Sequence, residues 1–276
     1  MEIVFNNLSY VDNKGSSLEK KYFEDVNLEI NSGSIVSFIS NDLDVLGKLL
    51  LCIKRPTKGE LIIDKESIKR TSHIENVELI RRKIGYMPYS DNKLFLNNNV
   101  KDEIKSFMAN YKYKCSNVVK HIMDSLKMVG LDDTYLDRDP NKLSFVESKK
   151  IELACLLSYN PEVLILCDFE KGLNYKEREY FKKLFLKLKN SFKKTIILIS
   201  SDLTFMFNLV DNVFLFRRGK LVIDGDKDIF YDDRLYKYME MPKIVEFTKY
   251  VNSLGHNILE YTDFKELIKE IYRNVR

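Results

Sequence analysis

The sequence predicts an α/β protein: a parallel core sheet, an antiparallel β subdomain, a helical subdomain and a small C-terminal helical appendage. Three observations point there. Val163-Leu164-Ile165-Leu166 and Thr195-Ile196-Ile197-Leu198-Ile199 are apolar runs without alternation, the pattern of strands covered on both faces in a parallel sheet. Phe23 to Ile30 instead alternates apolar and polar residues with period two, as a half-exposed antiparallel strand does. Val118, Ile122, Leu126 and Val129 recur at helical spacing within a stretch from about Val100 to Lys150.

In order along the chain, Glu2-Ile3-Val4-Phe5 is a strand, Phe23 to Ile30 a second, and Asn31-Ser32-Gly33 a turn. Ser34 to Ser40 reads as a buried strand, Val45 to Ile53 as a short helix and Pro56-Thr57-Lys58-Gly59 as a turn before the strand Glu60-Leu61-Ile62-Ile63. Gly130 ends the helix that carries Val118 to Val129, as a C-cap would. A helix from about Lys176 to Lys189 separates the two buried runs, and Val213 to Phe216 with Lys220 to Ile223 flank Arg217-Arg218-Gly219 as a β-hairpin. After Asp232 two helical stripes appear, Ile244, Phe247, Thr248 and Val251, then Phe264, Leu267, Ile268 and Ile271. Asp263 falls in the first turn of the second, where a carboxylate suits the helix dipole.

The length of 276 residues allows one sizeable α/β domain with a small addition. No apolar run reaches the roughly 18 residues that span a bilayer, and MEIVFNNLSY lacks the basic and apolar regions of a signal peptide. A cytoplasmic location follows, with any membrane contact made through a partner. The net charge of +4 arises from 45 basic and 41 acidic residues interspersed along the chain, a solvated surface rather than a nucleic-acid footprint. Cys52, Cys115, Cys155 and Cys167 have no CxxC spacing and His73, His121 and His256 lie far apart, which argues against a metal site or a disulfide framework.

Seven segments, in this order, resemble ABC-transporter ATP-binding subunits of the energy-coupling-factor group: FEDVNLEINSGSIVSFIS, RPTKGELIID, IRRKIGYMPYSDNKLF, NKLS, YNPEVLIL, TIILISSDL and MPKIVEFTKYVNSLGHNI. The resemblance covers nearly the whole chain. It implies the ABC-type P-loop NTPase fold, with a cassette domain over 1–231, its helical subdomain at about 100–150, and a C-terminal helical dimerisation segment over 232–276. It also implies a related cassette as partner, in a homo- or heterodimer, and an integral membrane coupling subunit. The protein would then be peripheral at the inner face of the cell membrane.

The positions that the family uses for chemistry are altered. A phosphate loop needs glycines whose N–H groups wrap the phosphates, a lysine, and a hydroxyl for Mg²⁺. Over Ser40 to Leu49, Gly47-Lys48 survives, but the leading glycine is Asp42, the hydroxyl position is Leu49, and Asp44 adds a second acid. From Ser40 to Gly59 the segment is about three residues shorter than the family pattern, leaving the frame of Lys48 open. The adenine-stacking aromatic aligns with Asp12, with Tyr10 as a possible substitute or a plain strand residue. Tyr89 replaces the loop glutamine, and the signature reads Leu143-Ser144-Phe145-Val146-Glu147, in which Ser144 and Glu147 also make a capping box. Cys167 and Asp168 align with the paired acids; sliding the frame by one residue makes Asp168 the metal ligand and Phe169 the base, so one acid is missing either way. Asn174 takes an aspartate's place and Ser201 the switch histidine's.

The resemblance therefore implies a pseudo-ATPase with no cofactor expected and MgATP binding weak or absent; Lys48 and Ser144 are the remaining candidates for holding nucleotide. Tyr86, Pro88, Tyr89 and Phe95 would dock the membrane subunit, or else fill a local cleft. Ile244, Phe247 and Val251 would form the dimer face. Two other readings stay open: a regulatory interaction protein on an ABC scaffold, and an active ATPase with atypical motifs.

Overall fold

The computed structural model describes residues 1–40, 44–90, 95–255, 267–269 and 272–273. Two sheets form the centre. The first is antiparallel, built from β1 (Ile3–Asp12), β2 (Lys20–Ile30), β4 (Lys58–Ile63) and β5 (Glu66–Ile68) in the order β2-β1-β4-β5. The second contains β3 (Ile35–Ile39), β6 (Ile84–Met87), β7 (Val163–Cys167), β8 (Thr195–Ile199), β9 (Asn212–Arg217) and β10 (Lys220–Asp226), ordered β10-β9-β3-β8-β7-β6. All its pairings are parallel except the β9–β10 hairpin. β3, β7 and β8 are buried along their whole length, which explains their unbroken apolar sequences.

β1 is longer than its sequence suggests. Asn7 adopts φ 46° and the register with β2 shifts between Phe5 and Leu8, so the apolar alternation breaks while the strand continues. The helices are α1 (Asp44–Leu50), α2 (Val77–Lys83), α3 (Val100–Asn110), α4 (Val118–Met128), α5 (Phe145–Ser158), α6 (Tyr175–Phe192), α7 (Leu203–Met206), α8 (Asp233–Tyr236) and α9 (Lys243–Ser253). α3, α4 and α5 make the helical excursion between β6 and β7. Ile122, Leu126 and Val129 are fully buried, as their spacing predicts, whereas Val118, in the first turn of α4, is exposed; Gly130 follows with φ 75°. No helix among the described residues is long and apolar enough to cross a membrane.

Apolar side chains gather in two clusters. One fills the space between the two sheets and includes Phe5, Phe23, Phe38, Phe214 and Phe216, with Leu46, Leu49 and Leu50 of α1. The other joins the parallel sheet to the helices, and it includes Leu235 of α8 and Val245 of α9. The first tail helix is thus anchored on the main core through one face. Of the second stripe, Phe264 and Ile271, with Asp263, lie outside the described residues; Leu267 is buried and Ile268 is exposed.

Candidate functional site

The parallel strands bring the altered motif positions to one edge of the core, at the ends of β3, β6, β7 and β8. β3 ends at Ile39 and α1 begins at Asp44, so four residues, Ser40 to Leu43, connect them. Asp42 and the side chain of Asp44 lie outside what is described. A phosphate loop places its Gly-Lys at the helix N-terminus, where N–H groups and the dipole meet the anion. Here Gly47-Lys48 sits in the interior of α1, with Lys48 in the last turn. Lys48, a candidate for holding nucleotide, thus stands about one turn beyond the helix start. Gly47 has a different structural reason. A Cβ on it would lie 2.3 Å from the Tyr86 ring, so the glycine admits that ring against the helix. Leu49, at the hydroxyl position, is fully buried.

At the end of β7, Cys167 is buried and Asp168 turns back with φ 46°. The Asp168 N–H donates to the Ile199 carbonyl at 2.8 Å, which fixes the acid beside β8. Its carboxylate accepts from the Lys171 ammonium at 2.8 Å. The same ammonium lies 4.4 Å from the centroid of the Tyr89 ring. Tyr89, Asp168 and Lys171 thus form one contact group, and the hydrogen bond to Asp168 raises the Lys171 pKa above its ordinary value.

Lys149 of α5 secures this turn from beneath. It is 3% exposed and donates to the carbonyls of Phe169 at 3.0 Å and Lys171 at 2.6 Å, with Asp168 more distant at 3.4 Å. Glu170 is equally buried; the Ser200 hydroxyl donates to it at 2.6 Å, and burial raises its pKa against that bond. The switch residue Ser201 is exposed, and the next residue, Asp202, caps α7 and pairs with Arg178 at 2.6 Å. Among the described residues no group of three or more His, Cys, Asp or Glu side chains is placed to hold a metal.

The signature segment is a capped helix start. Ser144 accepts the Glu147 N–H at 3.3 Å, and Glu147 accepts the Ser144 N–H at 2.9 Å, closing the capping box. Ser144 and Tyr135 hydroxyls also donate to Glu147, each at 2.6 Å, and these bonds lower its pKa to about 2. Phe145 packs over Gly172, where a Cβ would come within 3.0 Å of its ring. Ser144 therefore has its hydroxyl engaged within its own helix. Tyr10 is buried in β1, while Asp12 pairs with Lys54 at 3.5 Å.

The four docking residues do not form one exposed surface. Tyr86 is a strand residue packed on Gly47, and Pro88 is half-buried. Phe95 packs on the helical core, its N–H and carbonyl both bonded to Asn141. Only Tyr89 of the set is exposed; Leu96, not singled out in the sequence, is 91% exposed. Its segment is held rigid by buried Glu103, which accepts the N–H groups of Leu96 and Asn97 at 3.1 and 2.8 Å. In α9, Val245 and Thr248 face the core, Phe247 is exposed, and Ile244 and Val251 are half-buried.

Lys149, Glu170 and Lys171 went unnoticed in the sequence. Glu170-Lys171 stands between the acid motif and Gly172, a charged pair where the chain leaves a buried strand; Lys149, beside Lys150 and between Glu147 and Glu152, had nothing in the sequence to mark it.

The sheet order, the helical excursion and the order of these positions define an ABC-type cassette. Solved cassettes share the fold: Clostridium perfringens cbiO1, described as part of the ABC transporter complex cbiONQ, has a TM-score of 0.74 at 20% identity, covering 92% of this chain and 98% of its own. The dimeric MJ0796 cassette bound to ADP and Pi gives 0.72 at 21% identity, covering 82% and 98%. A family profile described as ABC transporter matches residues 45–168. The energy-coupling factor transporter ATP-binding protein EcfA2 of Thermotoga maritima is 31% identical over 254 residues, covering 89% of this chain and 92% of its own. EcfA2 of Streptococcus agalactiae is 29% identical over 282 residues, covering 98% and 99%. The chain belongs to the ATP-binding proteins of energy-coupling factor transporters, within the ABC transporter family.

Proposed function

We propose that this chain is a non-hydrolysing cassette subunit of an energy-coupling-factor importer. It supplies surfaces for a related cassette and for a membrane subunit, and it acts as a peripheral protein at the inner face of the membrane through that subunit. The observation that carries this reading is the Lys171–Asp168 ion pair against Tyr89. A hard divalent cation needs several oxygen ligands. The sole carboxylate of the acid pair already has a cation at 2.8 Å, its neighbour is the buried thiol of Cys167, and the glutamine position is an aromatic ring. These residues do not fit a magnesium ion carried with nucleotide. The short β3–α1 connection, the interior position of Lys48 and the internally bonded Ser144 support the same conclusion for the phosphates.

The test is a calorimetric titration of the purified chain with MgATP, alongside a phosphate-release assay. The expected dissociation constant is no tighter than about 1 mM, near 4 kcal/mol of binding free energy, with no turnover. Micromolar binding, or steady phosphate release, overturns the proposal.

A further inference from the structure

The stretch that leads into α3 carries the most exposed large apolar side chain among the described residues, Leu96 at 91%. Holding a leucine still in open water costs conformational entropy and gains no burial. Yet the backbone here is tied at every residue from Phe95 to Asn97. The Phe95 N–H donates to Asn141 Oδ1 at 3.0 Å, and Asn141 Nδ2 donates back to the Phe95 carbonyl at 3.2 Å. Glu103 Oε2 accepts the Leu96 N–H at 3.1 Å, the Asn97 N–H at 2.8 Å and the Asn97 side-chain amide at 2.7 Å. Two more bonds, from the Val100 N–H to the Arg138 carbonyl and from the Lys101 N–H to the Leu136 carbonyl, each 3.0 Å, fasten the start of α3 to the loop that carries Asn141.

Hydrogen-bond satisfaction alone does not call for this arrangement. An N–H group beside an exposed residue can be met by water. Glu103 is instead 3% exposed, and among the described residues it pairs with no cation. Its three donors are neutral and all belong to Leu96 and Asn97, so the desolvation of a carboxylate is offset only by bonds to this one short stretch. What the carboxylate secures is the direction in which Leu96 projects.

The surroundings of Leu96 have the anatomy of a contact. Asn97, Asn98 and Asn99 follow it, polar and uncharged. An apolar side chain beside a neutral polar rim suits an apolar cleft, with no charge pattern to select an acidic or a basic partner. Fixing such an anchor before contact removes an ordering cost that association would otherwise carry.

On the docking reading above, we propose that Glu103 and Asn141 are positioning residues that hold Leu96 ready to enter an apolar cleft of the membrane subunit.

The experiment has two arms. In the isolated full chain, amide exchange followed by NMR reads the grip directly. The Leu96 and Asn97 N–H groups should be protected, and Glu103→Ala should speed their exchange by about tenfold or more. Glu103→Gln keeps the length and one acceptor but not the charge; it should fall between the two, and it serves in place of the alanine variant if that one fails to fold. In the second arm the chain is co-expressed with an energy-coupling-factor membrane subunit from the same cell, and the affinity of the detergent-solubilised pair is measured. Glu103→Ala and Asn141→Ala should each weaken it about tenfold, as should Leu96→Ala. Glu103→Ala added to Leu96→Ala should cost little more, since nothing is left to position. Fully additive losses, an affinity unchanged in the Glu103 and Asn141 variants, or Leu96 and Asn97 amides that exchange as fast in the wild type as in Glu103→Ala overturn the proposal. A wild-type chain that does not bind the membrane subunit at all overturns the docking reading itself, and the proposal with it.

Discussion

Replacing Lys149 by methionine removes a buried ammonium while keeping most of the side-chain volume. Two close carbonyls, of Phe169 and Lys171, lose a charged donor. The Asp168 carbonyl keeps the Lys171 N–H at 3.2 Å. Each buried acceptor left unpaired costs about 1–3 kcal/mol. Against this stands relief from the desolvation of the ammonium, which is several kcal/mol for a fully buried charge and partly cancels the loss. The net expectation is destabilisation by about 2–3 kcal/mol, or a fall of roughly 5–10 °C in Tm for a chain of this size. Lys150→Met on the same helix is the matched control: Lys150 pairs with Glu177 at 2.9 Å without bonding any backbone carbonyl in the turn. Its loss should stay near 1 kcal/mol. Scanning calorimetry and urea unfolding of both variants decide the matter. An unchanged or raised Tm for Lys149→Met means that desolvation outweighs the carbonyl bonds, and that Lys149 does not hold the Asp168 turn in place.

The Glu147 pKa of about 2 lies below its ordinary 4.5, so its stabilisation is present above roughly pH 4.5 and is lost as pH falls toward 2. Glu147→Gln should flatten the acid limb of stability by about 1 kcal/mol between pH 6 and pH 3, after allowance for solvent screening, as read from urea midpoints. Phe247→Glu with Val251→Glu should weaken association with a related cassette about 100-fold or more in sedimentation, since each buried side chain of this kind is worth about 1.5–3 kcal/mol; undiminished assembly refutes that face. Tyr89→Ala with Leu96→Ala should abolish co-purification with the membrane subunit while shifting Tm by no more than about 2 °C. Phe95→Ala, which opens the packed edge of the helical core, should instead cost about 1–2 kcal/mol.

The strands were legible because burial on both faces writes itself as an unbroken apolar run, as in β7 and β8. The capping box at Ser144 and Glu147 was legible for a similar reason: both partners lie within one turn of helix. Residues whose roles depend on distant chain were harder to read. Tyr86 reads in the sequence as a docking or cleft-filling aromatic, and only the position of β6 shows that it packs beside Gly47, 39 positions earlier. Phe95 likewise needed Asn141 to show that it is held inward. Lys149 belongs with carbonyls about twenty residues downstream, and one of two adjacent lysines in a helix start has no local signature for such partners. Backbone sign was only partly legible: Asn7 and Asp168 are residue types that tolerate a positive φ, but neither stands in a local turn pattern that requires one.

The four-residue passage from Ile39 to Asp44 has a consequence for redesign of the chain. An altered side chain can be exchanged where it stands, without a change of chain length, as at Tyr89, Cys167 or Ser201. A span of chain that is too short has no such route. α1 begins at Asp44, so Lys48 stands a full turn into the helix, with Tyr86 seated on Gly47. On the function proposed above, a phosphate loop here would call for inserted residues and not for exchanged side chains alone.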